Sequence, residues 1–167
     1  MFQLNFTVAA FSKCGTTTLC HLLRQHPQLF IPAGKEPGYF AHCFDRAWNW
    51  YSALLTDAGA ECLRGDGSTF YSTWEFADIA CQRLLAHSPQ MRFIFIARDP
   101  ISRLESSFRE LHHSGDNYGV QADYDIGRTL AKFPNMIADT RYWELINIYR
   151  RAVPDEQILV LFLEEFQ

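Results

Sequence analysis

The stretch from Phe6 to Leu23 constrains the fold more than any other part of this sequence. It reads FTVAAFSKCGTTTLCHLL: an apolar run at 8–11, a short polar loop containing Lys13 and Gly15, and a helix that starts near Thr16. An apolar run without alternation is typical of a strand covered on both faces, and glycine permits the sharp turn after it. Backbone N–H groups and the helix dipole at a helix start favour anions. The stretch therefore predicts a strand, an anion-binding loop and a helix.

Composition is consistent with one well-packed domain and limits the classes of partner. The 167 residues are 48% hydrophobic, which predicts a single domain over 1–167 with a sizeable core. A net charge of −4 argues against general attraction to nucleic acid. The five scattered cysteines predict reduced thiols and no metal site. We expect a cytoplasmic chain, because no signal-peptide pattern and no apolar run of about 18 residues occur. The sequence does not indicate an oligomeric state.

Alternating strand and helix patterns predict a three-layer, P-loop-like α/β domain with a mostly parallel central sheet flanked by helices. The clearest strand is RFIFIA at 92–97, which ends at Arg98. Ligands of open α/β sheets bind beyond the carboxyl ends of the strands, so Arg98 is a candidate binding residue. We expect a last buried strand at 158–163 and a polar loop at 114–125. The other predicted strands lie at 8–11, 29–31 and within 62–71, and the predicted helices at 16–25, 45–55, 74–86, 100–111 and 142–152.

The loop is not a Walker A motif, because Lys13 precedes Gly15. Lys-Cys-Gly-Thr-Thr-Thr-Leu after a strand instead resembles the 5′-phosphosulfate loop of the sulfotransferase family. Three further stretches resemble family segments in order and approximate spacing: KEPGYF at 35–40, GDGSTFY at 65–71 and ARDPISRLESSF at 97–108. The resemblance implies 3′-phosphoadenosine 5′-phosphosulfate (PAPS) as sulfuryl donor, without a metal. It implies a donor site formed by Lys13, Cys14, Gly15, Thr16, Thr17, Thr18, Arg98 and Ser106.

The resemblance also implies a role for individual side chains. Transfer of a sulfuryl group moves negative charge onto the leaving phosphate, which Lys13 would stabilise. Glu36 would act as catalytic base and take the proton of the acceptor hydroxyl. Arg98 would bind the 3′-phosphate through its planar guanidinium group, with a hydrogen bond added by Ser106.

The segment at 65–71 departs from the family pattern Glu-x-Ser-Pro-x-Tyr. Gly67 stands where many members carry a basic residue, and Thr69 replaces the proline. Ser68 and Tyr71 are therefore either substrate residues that border the acceptor or residues of a turn and the core.

Other implied roles have structural alternatives. Glu36 is either the base or part of a solvated Lys-Glu turn, and Arg98 either binds phosphate or pairs with Asp99. The family continues beyond the last recognised strand with helices and a glycine-rich basic loop. We therefore expect this chain, which ends at Gln167, to be C-terminally incomplete relative to the family.

The leading hypothesis is a sulfotransferase that acts on a hydroxyl or amine of a glycan, lipid or small metabolite. The alternatives are a non-catalytic module that binds PAPS or its desulfated product, an inactive truncated sulfotransferase and, with less support, a P-loop kinase. An acidic chain is a poor match for a long polyanionic acceptor.

Overall fold

The computed structural model describes residues 3–34, 36–60, 62–115 and 119–166. Lys35 of the KEPGYF segment, residues 116–118 of the predicted loop and the terminal Gln167 lie outside the described residues. The strands are β1 (Phe6–Thr7), β2 (Leu29–Phe30), β3 (Leu63–Asp66), β4 (Arg92–Ala97) and β5 (Ile158–Phe162). The helices are α1 (Thr16–Arg24), α2 (Trp48–Ala53), α3 (Ala77–His87), α4 (Pro100–Ser114), α5 (Ile126–Lys132), α6 (Asn135–Ala138) and α7 (Tyr142–Arg150).

The five strands form one sheet in the order β2-β3-β1-β4-β5. All four pairings between the described strands are parallel, so the predicted α/β class is confirmed. β1 occupies the centre, with Phe6 paired to Gly65 on one side and to Arg92 on the other. The loop that follows β1 therefore leaves the sheet at its carboxyl edge, where α/β proteins bind ligands.

The core consists of the strands and the aromatic side chains packed against them. Phe93 and Phe95 of β4 contact Tyr149 of α7, with ring centroids 4.8 and 5.1 Å from that of Tyr149. All three side chains are buried. Removing each from water stabilises the fold by about 1.5–3 kcal/mol, so this cluster fixes α7 against the sheet.

Two predicted strands differ from the structure. The ladder of β1 ends at Thr7, although the apolar run at 8–11 is buried as expected. The prediction of a buried last strand is wrong, because Leu159, Val160 and Phe162 are 50%, 36% and 49% exposed. β5 lies at the edge of the sheet and pairs only with β4, so side chains on it remain in contact with solvent.

The sequence patterns missed two short helices, α5 and α6, after the predicted loop. A signal for α5 exists in Asp125, whose carboxylate caps the helix by accepting the Arg128 N–H at 2.8 Å. α2 is shorter than the predicted helix at 45–55. Within the described ranges, no helix has the length and apolarity that crossing a membrane requires.

Candidate functional site

The loop between β1 and α1 has the backbone geometry of an anion-binding turn. Lys13 and Gly15 both adopt positive φ values, 67° and 84°. Gly15 is the N-cap of α1, and the first turn of that helix carries no acidic residue. Thr17 is exposed at the start of α1. The helix dipole and the N–H groups at this end therefore favour a phosphate or sulfate group.

Two arginines donate hydrogen bonds to backbone carbonyl groups of this loop. Arg103 of α4 donates from Nε to the Ser12 carbonyl at 3.0 Å, and Arg98 donates to the Lys13 carbonyl at 3.3 Å. Arg103 also donates to the Met136 carbonyl at 3.0 Å and is only 3% exposed. A guanidinium group with several donors is suited to this role. Arg103 therefore connects the loop, α4 and α6.

A cavity of about 740 Å³ opens beside this loop. Arg103, Ser107, Glu110 and Leu111 line it from α4, and their spacing of four, three and one places them on one helical face. Lys13 reaches the same cavity, where its ammonium nitrogen lies 2.5 Å from Glu110 Oε2. Neither Arg103 nor Glu110 was predicted from the sequence, because their contacts with the loop depend on how α4 packs against it.

Glu36 lines the cavity and belongs to the segment after β2. Its Oε2 accepts a hydrogen bond from the Thr69 hydroxyl at 2.8 Å. Thr69, which stands where the family pattern has proline, thus orients the Glu36 carboxylate. The structure brings Glu36 and Lys13 into one cavity, as the predicted chemistry requires.

A buried carboxylate supports the Glu36 segment from the core. Asp66 accepts two hydrogen bonds from Ser68, from the amide at 2.9 Å and from the hydroxyl at 2.6 Å. It also accepts the hydroxyls of Tyr71 at 2.7 Å and Tyr51 at 2.8 Å. Burial raises the pKa of Asp66, while these hydrogen bonds act in the opposite direction. The Ser68 hydroxyl in turn accepts the Gly38 N–H at 2.9 Å, which links the network to the segment that carries the predicted base.

Ser68 and Tyr71 do not line the cavity. Both side chains are 0% exposed and bind Asp66 in the core. The structure therefore favours the interpretation of both as turn and core residues over direct contact with an acceptor.

Of the residues predicted to bind PAPS, some line the cavity and others do not. Lys13, Gly15, Thr16 and Thr17 line the cavity, whereas Cys14, Thr18, Arg98 and Ser106 do not. Cys14 is buried 3.9 Å from the Tyr142 hydroxyl, and burial raises the pKa of its thiol. Arg98 is half-buried beside the loop, while Asp99 caps α4 by accepting the Ser102 N–H at 2.8 Å. Among the residues that the structure describes, no group of His, Cys, Asp or Glu is arranged to hold a metal ion.

Fold and site together define an α/β protein in which a loop suited to anions lies beside a cavity lined by a lysine and a glutamate. No family model matches the chain. The sequence is 28% identical over 104 residues to heparan sulfate glucosamine 3-O-sulfotransferase 6 of Mus musculus and of Homo sapiens. It is 27% identical over 104 residues to heparan sulfate glucosamine 3-O-sulfotransferase 3B1 of Homo sapiens.

These alignments cover 62% of this chain, but only 29% of sulfotransferase 6 and 25% of sulfotransferase 3B1. The fold is shared with the crystal structure of a sulfotransferase from Alicyclobacillus acidocaldarius, with a TM-score of 0.86. That likeness covers 99% of this chain and 75% of the other at 23% identity. The resemblance inferred from the motifs is confirmed: the chain is similar in sequence to sulfotransferases and shares the fold of one.

Proposed function

We propose that this protein transfers a sulfuryl group from PAPS to a hydroxyl or amine of an acceptor. The observation that supports the proposal most is that Lys13 and Glu36 line one cavity together with the amino end of α1. A cation and helix N–H groups suit the leaving phosphate, and a carboxylate suits the acceptor proton. Homology to sulfotransferases supports the same reaction class.

The residues present fit a phosphosulfate group. Gly15 begins α1 with a positive φ, the first helical turn has no carboxylate, and Lys13 adds a full positive charge. PAPS supplies an activated sulfuryl group: the acceptor oxygen or nitrogen bonds to sulfur, while the bond from sulfur to the phosphate oxygen breaks and its electron pair leaves with the phosphate. Lys13 and the N–H groups at the start of α1 stabilise that developing charge.

Glu36 removes the proton from the attacking group. Thr69 donates a hydrogen bond to one of its carboxylate oxygens, which fixes the orientation of the carboxylate. The proton moves to Glu36 as the acceptor bonds to sulfur, so no charged acceptor accumulates.

Lys13 exchanges partners during this reaction. In the structure its ammonium group lies 2.5 Å from Glu110 Oε2. A phosphate in the loop provides a stronger charge for Lys13, and Glu110 then returns to solvent in the cavity. The proposed 3′-phosphate role of Arg98 and Ser106 requires a similar exchange, because Arg98 donates to the Lys13 carbonyl at 3.3 Å.

A matched pair of lysine variants tests this proposal. Lys13→Ala should lower the rate of ³⁵S transfer from PAPS by about 10²-fold or more, the usual cost of removing one preorganised donor to a developing charge. Lys132→Ala is the control, because Lys132 donates to the Gln121 carbonyl on the surface and is not among the residues lining the cavity.

Equal transfer by the Lys13→Ala variant and the wild type would refute the role of Lys13. Calorimetric titration with 3′-phosphoadenosine 5′-phosphate, the desulfated product, separates binding from chemistry. Binding of this nucleotide without transfer to a broad acceptor panel would instead identify a non-catalytic binding module.

A further inference from the structure

The charge balance of the cavity restricts the acceptor. Among the described residues that line the cavity, three carry carboxyl groups, Glu36, Glu110 and Asp139, and two carry cations, Lys13 and Arg103. Carboxyl groups therefore outnumber cations among these described lining residues.

Neither cation is available to an acceptor. Arg103 donates to the Ser12 and Met136 carbonyls and lies 3.9 Å from Asp139, with only 3% of its surface exposed. Lys13 pairs with Glu110, and under the proposed function it binds the phosphate of the sulfuryl donor. Donor binding thus leaves Glu110 in the cavity without its present counter-charge.

An anionic group on the acceptor would meet these carboxylates and the negatively charged donor. Like charges repel each other more strongly in a partly desolvated cavity than in water. An uncharged or cationic group avoids this cost. The electrostatics therefore discriminate against a polyanion.

The cavity also offers an apolar surface. Phe70, Leu111 and Met136 line it together with the charged residues. Phe70 is 36% exposed, and its ring centroid lies 4.2 Å from that of His42, which supports the ring from one side. A flat or aliphatic group of an acceptor can pack against these side chains.

We infer that the acceptor is a small molecule without negative charge, with its hydroxyl or amine next to an apolar body. This inference rests on the proposed sulfuryl transfer and specifies its substrate class. The inferred acceptor differs from heparan sulfate, the polysaccharide in the names of the similar sulfotransferases, because heparan sulfate is densely anionic.

The test uses two acceptors that share three ring hydroxyls and an aromatic aglycone: 4-nitrophenyl β-xyloside and 4-nitrophenyl β-glucuronide. They differ by the carboxylate of the glucuronide. Calorimetry measures the binding of each to the complex with 3′-phosphoadenosine 5′-phosphate, and ³⁵S transfer from PAPS is measured alongside with a heparan sulfate oligosaccharide as third acceptor. We expect the xyloside to be preferred at least tenfold in binding and in transfer.

A Glu110→Gln variant adds a second readout. Removing one carboxylate should reduce the preference for the xyloside several-fold, whereas Glu105→Gln, an exposed change on the same helix, should leave it unchanged. An equal or better signal with the glucuronide or the oligosaccharide overturns the inference and leaves sulfuryl transfer standing. Failure of both glycosides to bind also overturns it. Absence of nucleotide binding and of all transfer overturns the proposed function, and the inference falls with it.

Discussion

Arg103→Met should destabilise the fold and loosen the phosphate loop at the same time. The substitution keeps an apolar stem of similar length but removes the donors to the Ser12 and Met136 carbonyls and the cation beside Asp139. A buried acceptor left without a partner costs about 1–3 kcal/mol. Asp139 is half-buried and keeps a hydrogen bond from the Trp74 N–H, so loss of its distant ion pair adds little. We therefore expect a total loss of about 2–4 kcal/mol in the free energy of unfolding, mainly from the two carbonyl groups.

Urea unfolding followed by circular dichroism measures this loss, and calorimetry with 3′-phosphoadenosine 5′-phosphate measures the effect on the loop. Arg103→Lys should recover part of both losses, because an ammonium group keeps the charge but cannot reach both carbonyls in the same geometry. Arg109→Met is the matched control on the same helix, since its exposed ion pair with Glu105 is worth at most about 1 kcal/mol. A free energy of unfolding within about 1 kcal/mol of wild type for Arg103→Met, with unchanged nucleotide affinity, would refute the reasoning.

Two further changes test the loop and the core. Gly15→Ala should cost about 1–2 kcal/mol in urea unfolding and weaken nucleotide binding, because residue 15 has a φ of 84° and a Cβ there would lie 2.7 Å from Leu163 Cδ1. Gly34→Ala is the control and should be neutral, because no atom lies within 4 Å of its added Cβ. Equal effects of the two substitutions would contradict the strain argument. Burial lowers the pKa of His87 below 6.5, and its Nε2 accepts the Leu4 N–H at 3.2 Å. The unfolded chain therefore binds this proton more tightly, so stability present above pH 6.5 should fall as the solution is acidified through the lowered pKa. As the pH is lowered, the urea midpoint should drop less in His87→Gln than in wild type. The same pH dependence of the midpoint in both proteins would exclude a contribution of His87 to stability.

Local sequence patterns predicted the parts of the fold that depend on local physics. The run RFIFIA matches β4 residue for residue, because an unbroken apolar stretch is typical of a strand covered on both faces. The same reasoning failed for β5, whose apolar run ILVLF lies at an edge of the sheet. Strand order is a property of the tertiary structure, so a run of apolar residues cannot distinguish a central strand from an edge strand.

In the candidate site, too, local motifs predict some residues, whereas others depend on the tertiary structure. The presence of Lys13 and Glu36 at one cavity could be predicted, because the stretches that carry them resemble sulfotransferase motifs. Arg103 could not be assigned a role, since its partners Ser12 and Met136 lie 91 and 33 residues away in sequence. Glu110 was missed because its contact with Lys13 depends on the packing of α4 against the loop.

Ser68 illustrates a residue for which the sequence left two interpretations open, a border of the acceptor or part of a turn. Its hydroxyl joins Gly38 to the buried Asp66, which favours the second interpretation. The polar network below the cavity thereby ties the segment of the predicted base to β3. A sequence motif identifies which residues a family retains at a site, but hydrogen-bond partners decide which of them face the ligand.

The most direct test of the central claim is the single-turnover rate of sulfuryl transfer from PAPS in Glu36→Gln. Glutamine keeps a side-chain oxygen that can accept from the Thr69 hydroxyl, so the fold and nucleotide affinity should match wild type. Loss of general-base catalysis should lower the rate by about 10²–10⁴-fold. A rate within threefold of wild type, at saturating donor and acceptor, would contradict the assignment of Glu36 as the base and with it the proposed reaction geometry.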